Sequence, residues 1–430
     1  MREWIRWQFG RPTAADVLKR LVRRLEEIGA TGTTVNEDPP EIHFTLNGVQ
    51  MHSHLTHLVR DLRRAKGGRA RDIEFDRYLE GTMLRPVGAD VPELSEDYAS
   101  VRARLVPLLR TRADMAKSTL DLANALTQDE AALTRASNQT PFRPLVGDYV
   151  AMLGLDTPES TARVAQGMLD KWGVSFDTAF DDALDNLRGL PEDLGWQQIA
   201  PGLWQGAWND SYEPSRLLLP DVIYRSGVAH PVAMVPLRHV LLVADANDIA
   251  GLALMAAMCK QLRQEHSRWL SCRPLQLVER AWQPFEAPES LRPMFQELIS
   301  VEDSEDYSAQ KRLLEQRRPQ EASGPFVGSV KLVQFKDSER VMSYSVWPDG
   351  VDTLLPLTDL VAFASHDKPD QAVIVAWADA VRIAGHYMQP VDGAAPAAHA
   401  RQRLPERGRA GSVESREGRL NDFVAPPFSR

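Results

Sequence analysis

The run Trp204-Gln205-Gly206-Ala207-Trp208-Asn209-Asp210-Ser211-Tyr212-Glu213-Pro214-Ser215-Arg216, followed by the apolar runs Pro231-Val232-Ala233-Met234-Val235 and His239-Val240-Leu241-Leu242-Val243-Ala244, decides how this chain is read. Trp204 to Trp208 suits a strand, and Asn209, Asp210 and Ser211 then break it. Pro214 is placed for the first turn of a short helix, where proline costs no backbone hydrogen bond. The two apolar runs are short and bounded by turn residues, so they read as core strands.

Working outward, strands are expected near 105–110, 145–152, 203–208, 231–235, 239–244 and 275–279, and helices at 117–126, 158–171, 175–188 and 250–270. They predict a mixed α/β core domain over 98–290 with antiparallel strands. Upstream, Leu18, Leu21, Val22, Leu25 and Ile28 fall at helical spacing within 13–28, with Thr13 or Asp16 at the start and Gly29 as a stop. Glu41 to Leu46 and Val49 to Leu55 form two strands around Asn47-Gly48, a strong hairpin signal, and a helix follows at 56–66. These elements predict a small N-terminal α/β domain over 1–95, closed by a linker at 81–97 that carries Pro86, Gly88 and Pro92.

Downstream, the charged stretch 300–325 reads as a second linker, part of it helical. Phe326 to Phe335, Val341 to Trp347, the Asp349-Gly350 turn, Leu360 to Ala364 and Val373 to Trp377 predict a small β-rich domain over 326–392, with a short helix reaching Met388. From 393 to 430 hydrophobic spacing vanishes, which predicts a disordered tail. The expected fold class is α+β.

At 430 residues, with 43% apolar and 25% charged side chains, the chain has room for two or three domains with sizeable cores. Its formal charge of -9 argues against a protein built to hold a nucleic-acid backbone, because clustered Lys and Arg supply that affinity. No apolar stretch approaches the roughly 20 residues needed to cross a bilayer. Met1 to Phe9 interleaves charges with Trp4, Ile5, Trp7 and Phe9, so it reads as an aromatic anchor for the first helix and not as a signal peptide. Cys259 and Cys272 are the only cysteines, which predicts a reducing cytoplasm. Cys259 shares a helical stripe with Leu252, Met255 and Leu262 and is expected to pack.

The segments Asn209 to Leu218, Pro231 to Pro236 and His239 to Asp245 together resemble the YtpQ-like family of uncharacterised bacterial proteins. Leu105-Val106-Pro107-Leu108-Leu109-Arg110 resembles that family's opening strand, and Ala183 to Leu187 its Ala-x-x-Asn-Leu helix, so the resemblance covers about residues 100 to 285. The family tends to carry Gly where this chain has Ser211, and Asp and Ala at Glu213 and Pro214. The resemblance implies a bacterial cytoplasmic protein and supplies no activity, cofactor or catalytic residue.

Asn209, Asp210, Ser211 and Ser215 stand where strand hands over to helix and suit caps on unpaired backbone N–H groups, each worth roughly 0.5–2 kcal/mol. The competing reading is an anion or nucleotide pocket at the same turn with Arg216 adding charge, though no glycine-rich phosphate loop precedes it. Ser211 or Ser215 with His239 and Asp245 has the residue types of a hydrolase triad, but the chain has no Gly-x-Ser-x-Gly elbow. On a strand His52 and His54 share a face, and on a helix His54 and His57 do; only a strand-to-helix junction gathers all three as metal ligands. Asp245-Ala246-Asn247-Asp248 lacks the Gly and Glu of a calcium loop and reads as an Asx turn capping the next helix. The basic run from Arg60 to Arg77 is diluted by Asp61, Asp72, Glu74 and Asp76 and reads as a solvated face. In the tail, Phe423, Pro426, Pro427 and Phe428 have the composition of a peptide that docks into a partner's groove, against plain disorder.

These readings predict a binding or assembly protein with a protein partner and no catalytic residue. No cofactor, membrane or nucleic acid is expected, and homo-oligomerisation is left open. A hydrolase or nucleotide-dependent enzyme using residues 209–216 is the alternative, and a component of a defence or toxin-immunity operon is a third reading.

Overall fold

The computed structural model describes residues 6–8, 10–37, 40–46, 49–79, 97–126, 136–156, 161–190, 195–208, 210–266, 269–317, 325–335, 340–365, 368–389, 391, 398–400 and 423–424. Its class is α+β, with antiparallel sheets in the N-terminal unit and the core and mixed sheets in the C-terminal part.

The first helix, α1 (Ala14–Glu27), begins where Thr13 and Asp16 cap each other reciprocally, and its Val17, Leu18, Leu21 and Leu25 are buried. Gly29 ends it at a φ of 92°. Strands β1 (Thr31–Glu37), β2 (Pro40–Leu46) and β3 (Val49–His54) form an antiparallel sheet in which Leu46 faces Val49, the register a two-residue loop imposes. Helices α2 (Thr56–Arg64) and α3 (Gly68–Tyr78) complete a core that Trp7 joins. Trp7 meets Phe75 edge to face at 5.7 Å, lies under the Arg20 guanidinium and donates to Asp72 at 2.9 Å. Of the expected aromatic anchor, Trp7 packs as its pattern predicted, while Trp4, Ile5 and Phe9 lie outside the described residues. Within the basic run, Arg71 is not solvated: it is buried and donates to the carbonyls of Leu62, Trp7 and Gly10.

The core is four layers deep. Strand β4 (Leu105–Thr111) leads into α4 (Arg112–Leu126), and pairs with β6 (Tyr149–Asp156), whose other edge takes β5 (Phe142–Pro144) and β7 (Thr161–Arg163). Helices α5 (Gln166–Trp172) and α6 (Phe176–Gly189) cover one face of that sheet through Leu169, Phe180 and Ala183. Its other face packs on a six-stranded antiparallel sheet made from β8 (Trp196–Ala200), β9 (Leu203–Gly206), β10 (Pro231–Leu237), β11 (Val240–Asp245), β12 (Trp269–Val278) and β13 (Ala281–Pro284). A short helix, α7 (Pro220–Tyr224), lies between β9 and β10. Residues 233, 235, 241 and 243 point to the neighbouring sheet, while 232, 234, 240, 242 and 244 point to α8 (Ile249–Glu265) and α9 (Arg292–Gln316). The continuous apolar runs at 231–244 exist because both faces of β10 and β11 are covered.

Several boundaries differ from the sequence reading. The helix expected at 158–171 is instead β7 followed by α5, because Thr161-Ala162-Arg163 pairs with the free edge of β6. The strand expected at 145–152 starts at Tyr149, after a turn in which Gly147 has a φ of 54°. Helix α8 stops at Glu265 and β12 already begins at Trp269.

The largest correction concerns 300–325: up to Gln316 it belongs to the 25-residue helix α9. Its inward stripe runs through Phe295, Leu298, Glu302, Asp306, Gln310 and Leu313, all buried. Three of these six are polar, so the apolar period that announces a helix is interrupted in sequence though intact in space.

Helix α9 carries the C-terminal domain. The Tyr307 hydroxyl accepts from the Leu357 backbone N–H at 3.0 Å, Gln296 donates to Asp359 at 3.1 Å and Lys311 to Ser329 at 2.7 Å. That domain holds β14 (Phe326–Val327), β15 (Lys331–Phe335), β16 (Val341–Pro348), β17 (Thr353–Pro356), β18 (Leu360–Ser365) and β19 (Lys368–Ala376), with α10 (Trp377–Ala384) packed on it. Most of the 393–430 tail lies outside the described residues, but two strands correct its reading as wholly disordered. β20 (Ala398–Ala400) pairs with β17, and β21 (Phe423–Val424) pairs with β15. Among the described residues no helix is long and apolar enough to cross a membrane.

Candidate functional site

The turn after β9 is closed from within. Asp210 accepts two bonds from Arg216, at 2.9 and 2.5 Å, and a third from the Tyr212 backbone N–H at 2.9 Å. The Arg216 side chain is only 3% exposed and stacks over the Trp208 ring at 4.2 Å. Ser215 Oγ accepts from the Leu109 N–H on β4 at 3.4 Å, tying the 3-10 segment Glu213–Leu218 to the next sheet. Asp210, Ser215 and Arg216 therefore do structural work, and the Arg216 charge proposed for an anion is spent on Asp210. Asn209 lies outside the described residues.

Ser211 sits at a φ of 68° in this turn. This is the position where the resembled family tends to carry Gly, the residue that adopts left-handed backbone without a Cβ clash. Ser211→Gly is expected to raise stability by about 1 kcal/mol, read as a higher urea midpoint at unchanged slope.

Ser211, Tyr212, Pro214 and Ser215 form one wall of a cleft of about 710 Å³. Leu108, Leu109 and Arg110 from β4, Thr161 from β7, and Leu237, Arg238, His239, Glu265 and His266 from the six-stranded layer complete the core side. Asp61, Ala65, Ala70 and Glu74 face them from α2, α3 and the link between them, so the cleft lies between the N-terminal unit and the core. The Tyr212 and Thr161 hydroxyls are 3.0 Å apart at its edge.

Its basic pole is the part with chemical character. Arg110 is half-buried, and its Nη1 donates to the Leu109 carbonyl at 2.7 Å. Desolvation, then the nearby Arg238 and, more weakly, Arg163, push the Arg110 guanidinium down to about 10, with Asp114 pulling the other way. Arg163 is lowered too, by desolvation and by Arg238. Burial alone would raise the Asp114 carboxyl, but Arg238, Lys117 and Arg110 hold it below the usual range. Arg238 reaches Asp114 at 3.3 Å, and Lys117 lies between Asp114 at 3.3 Å and Asp306 at 2.9 Å. Asp114 thus pairs with Arg238 and Lys117, while the exposed Arg163 donates to Ser118 Oγ at 3.5 Å.

His239 faces His266 with ring centroids 6.3 Å apart, and desolvation followed by His266 lowers its pKa. The triad reading fails on distance. Asp245 stands at the far end of β11 from His239, roughly 17 Å of strand away, and its carboxylate accepts from the backbone N–H groups of His230 and Asn247. Asp248 caps α8 through the Gly251 N–H at 3.0 Å, the turn expected of that acidic string.

His52 and His54 lie on β3, paired with His43 and Glu41, and His57 lies on α2. Their side chains fall outside the described residues, within which no group of three His, Cys, Asp or Glu could hold a metal ion. Phe423 pairs with Phe335 in the chain's own sheet, and Pro426, Pro427 and Phe428 lie outside the described residues. Cys259 and Cys272 are free and buried, Cys259 among Met234, Leu252 and Met255.

A second polar group is buried between α9 and β12. Glu302 is 2% exposed and accepts from Ser271 Oγ at 2.8 Å and from the Cys272 N–H at 2.6 Å. Burial pushes its carboxyl up to about 7, against the opposing pull of Arg273 and Arg263. In the unfolded chain the group ionises near its ordinary 4.5, so folding binds a proton between those values and stability falls as pH rises from about 4.5 through 7. Above that window the full penalty stands, about 3 kcal/mol. Glu302→Gln keeps the acceptor for Cys272 and a donor for Ser271. It is expected to match the parent protein near pH 4.5 and exceed its stability by about 3 kcal/mol at pH 8, checked by urea unfolding at both values.

Sequence reasoning missed Arg110, Arg238 and Glu302. One signal was there to be used: Arg110 interrupts an otherwise buried strand, Leu105–Thr111. A charge in such a place needs a reason. No family model matches the chain, and neither a curated protein nor a solved structure matches it.

Proposed function

We propose that the protein is a binding protein that holds an anion-bearing ligand in the cleft between its N-terminal unit and its core. One observation carries this reading: Arg110 and Arg238 both line one end of a cleft of about 710 Å³, and the Asp114 carboxylate that Arg238 reaches is shared with Lys117. Like charges gathered at partial burial cost stability unless an anion joins them, and guanidiniums are suited to bidentate binding of phosphate or carboxylate. The volume lies in the range of small-molecule sites. Catalysis is not part of the proposal, since the Ser, His and Asp that composition offered do not assemble.

A bacterial cytoplasmic setting and kinship with the YtpQ-like family belong to the same proposal. They rest on the two thiols and on the segments from Asn209 to Asp245 quoted above. A protein partner has less support, because the docking candidate Phe423 is paired with the chain's own β15.

Thermal unfolding in phosphate and in chloride at matched ionic strength tests the reading. A ligand that binds only the folded state stabilises it by about 2.7 kcal/mol at a hundred times its Kd. A rise in Tm with phosphate that disappears in Arg238→Met supports the cleft. Equal melting in both salts, or an equal rise in the variant, contradicts it.

A further inference from the structure

Asp114 joins the cleft to the helix that carries the C-terminal domain. It lies in the first turn of α4, just after the cleft residue Arg110, and its backbone N–H donates to Thr111 Oγ1 at 3.1 Å. Its two carboxylate oxygens are divided: Oδ2 meets Arg238 Nη2 at 3.3 Å, and Oδ1 meets Lys117 Nζ at 3.3 Å. Lys117 is divided in turn, since Asp306 Oδ1 on α9 lies 2.9 Å from the same ammonium. Arg238, Asp114, Lys117 and Asp306 thus form a row of alternating charge in which each inner member serves two partners. Arg238 is 44% exposed and Asp306 only 6%, so the row starts in the cleft lining and ends in the interior.

The buried end of the row bears on the C-terminal domain. Tyr307, the residue after Asp306, accepts the Leu357 backbone N–H at 3.0 Å. Helix α4 meets α9 again farther along, where Asn124 Nδ2 donates to the Leu313 carbonyl at 3.2 Å and Arg317 Nη1 donates to Asn124 Oδ1 at 3.4 Å. Lys117 Nζ lies 5.7 Å from the Trp269 ring, over which Arg263 stacks at 3.9 Å while it reaches Glu305 at 3.3 Å. Confined in this way, the ammonium responds to a change in either carboxylate by leaning toward the other.

An anion that engages Arg238 competes with Asp114 for one guanidinium. What Arg238 gives up, Asp114 recovers from Lys117, and the ammonium is drawn away from Asp306. A carboxylate so little exposed has scarcely any water to replace a weakened partner. Anion binding in the cleft and the seating of α9 at Asp306 therefore oppose each other, and linkage makes the opposition equal in both directions. We infer that this row is a regulatory relay: an anion in the cleft loosens the seat of α9 against the core, and whatever loosens that seat tightens the hold on the anion. The inference rests on the anion-cleft reading and adds regulation to it.

Calorimetric titration of the full chain with inorganic phosphate tests the relay through a double-mutant cycle. Asp306→Asn, outside the cleft lining, is expected to tighten phosphate binding by about threefold, and Asp114→Asn by at least as much. The double variant is expected to bind no more tightly than Asp114→Asn, because the effect of Asp306 passes through Asp114. Additive effects would show that Asp306 acts through space, and an unchanged affinity in Asp306→Asn would show no coupling; either result overturns the relay. Should Asp306→Asn fail to fold, Lys117→Gln decides: binding weakened by about threefold supports the relay, and binding unchanged or tighter overturns it. In the parent chain, saturating phosphate is expected to speed amide exchange in the peptide covering Leu357, and exchange slowed or unchanged there overturns the relay as well. In all these cases the cleft still stands as long as the parent binds phosphate. If the parent binds none, the cleft reading and the relay fall together.

Discussion

Arg110→Met is expected to do two opposite things: remove anion binding and make the ligand-free protein more stable. Charge-assisted hydrogen bonds from a guanidinium to a phosphate are worth about 1.5–3 kcal/mol, so affinity should fall by roughly 10- to 100-fold. In the empty cleft the same guanidinium is desolvated and repelled by Arg238 and Arg163, with only Asp114 in opposition. Methionine keeps most of the stem packing and removes the charge, which should stabilise the free protein by something on the order of 1 kcal/mol after allowance for screening. Residues held for binding commonly cost stability, whereas a purely structural arginine lost from a strand would lower it. Calorimetry for affinity and urea unfolding without ligand separate the two, and a variant that is both less stable and equally able to bind would remove Arg110 from the site.

Asp210→Ala carries the other large effect, and it is on stability. The substitution leaves the Arg216 guanidinium, only 3% exposed, without its carboxylate, and it takes the acceptor from the Tyr212 N–H. Breaking a buried pair by removing one partner costs about 3 kcal/mol or more, because the remaining charge stays desolvated. Adding Arg216→Met to Asp210→Ala should recover at least half of that loss, since methionine can lie on Trp208 where the guanidinium stacked. Urea midpoints of both variants and the parent give the coupling. If Asp210→Ala unfolds like the parent and instead weakens anion binding directly, the turn is a ligand site and the division of roles argued above is wrong.

The elements that could be read from sequence are those whose surroundings are uniform. Helix α1 shows its stripe because one face meets an apolar core and the other meets water. Strands β10 and β11 show unbroken apolar runs because neither face does. Helix α9 is hidden because Glu302, Asp306 and Gln310 occupy inward positions, where Glu302 is paired with Ser271 and Cys272 and Asp306 with Lys117, all from elements distant in sequence. The three residues of β7 carry no period of their own, and only the free edge of β6 makes them a strand.

The site was half legible for a similar reason. The turn at 209–216 was found, and its residues are close in sequence, but local pairing turned out to use up Asp210 and Arg216. The cations that remain in the cleft, Arg110 and Arg238, are brought together by the packing of one sheet on another. No spacing along the chain encodes that meeting, although an arginine inside a buried strand marks one member of it.

The most direct test of the cleft is amide hydrogen exchange with and without saturating phosphate. Slower exchange is predicted in peptides covering Arg110, Thr161, Ser211 to Ser215 and Arg238 to His239, and in those covering Asp61, Ala65 and Ala70 on the opposite wall. Bound ligand that leaves all of these peptides unchanged, or protects only segments elsewhere, would contradict the account.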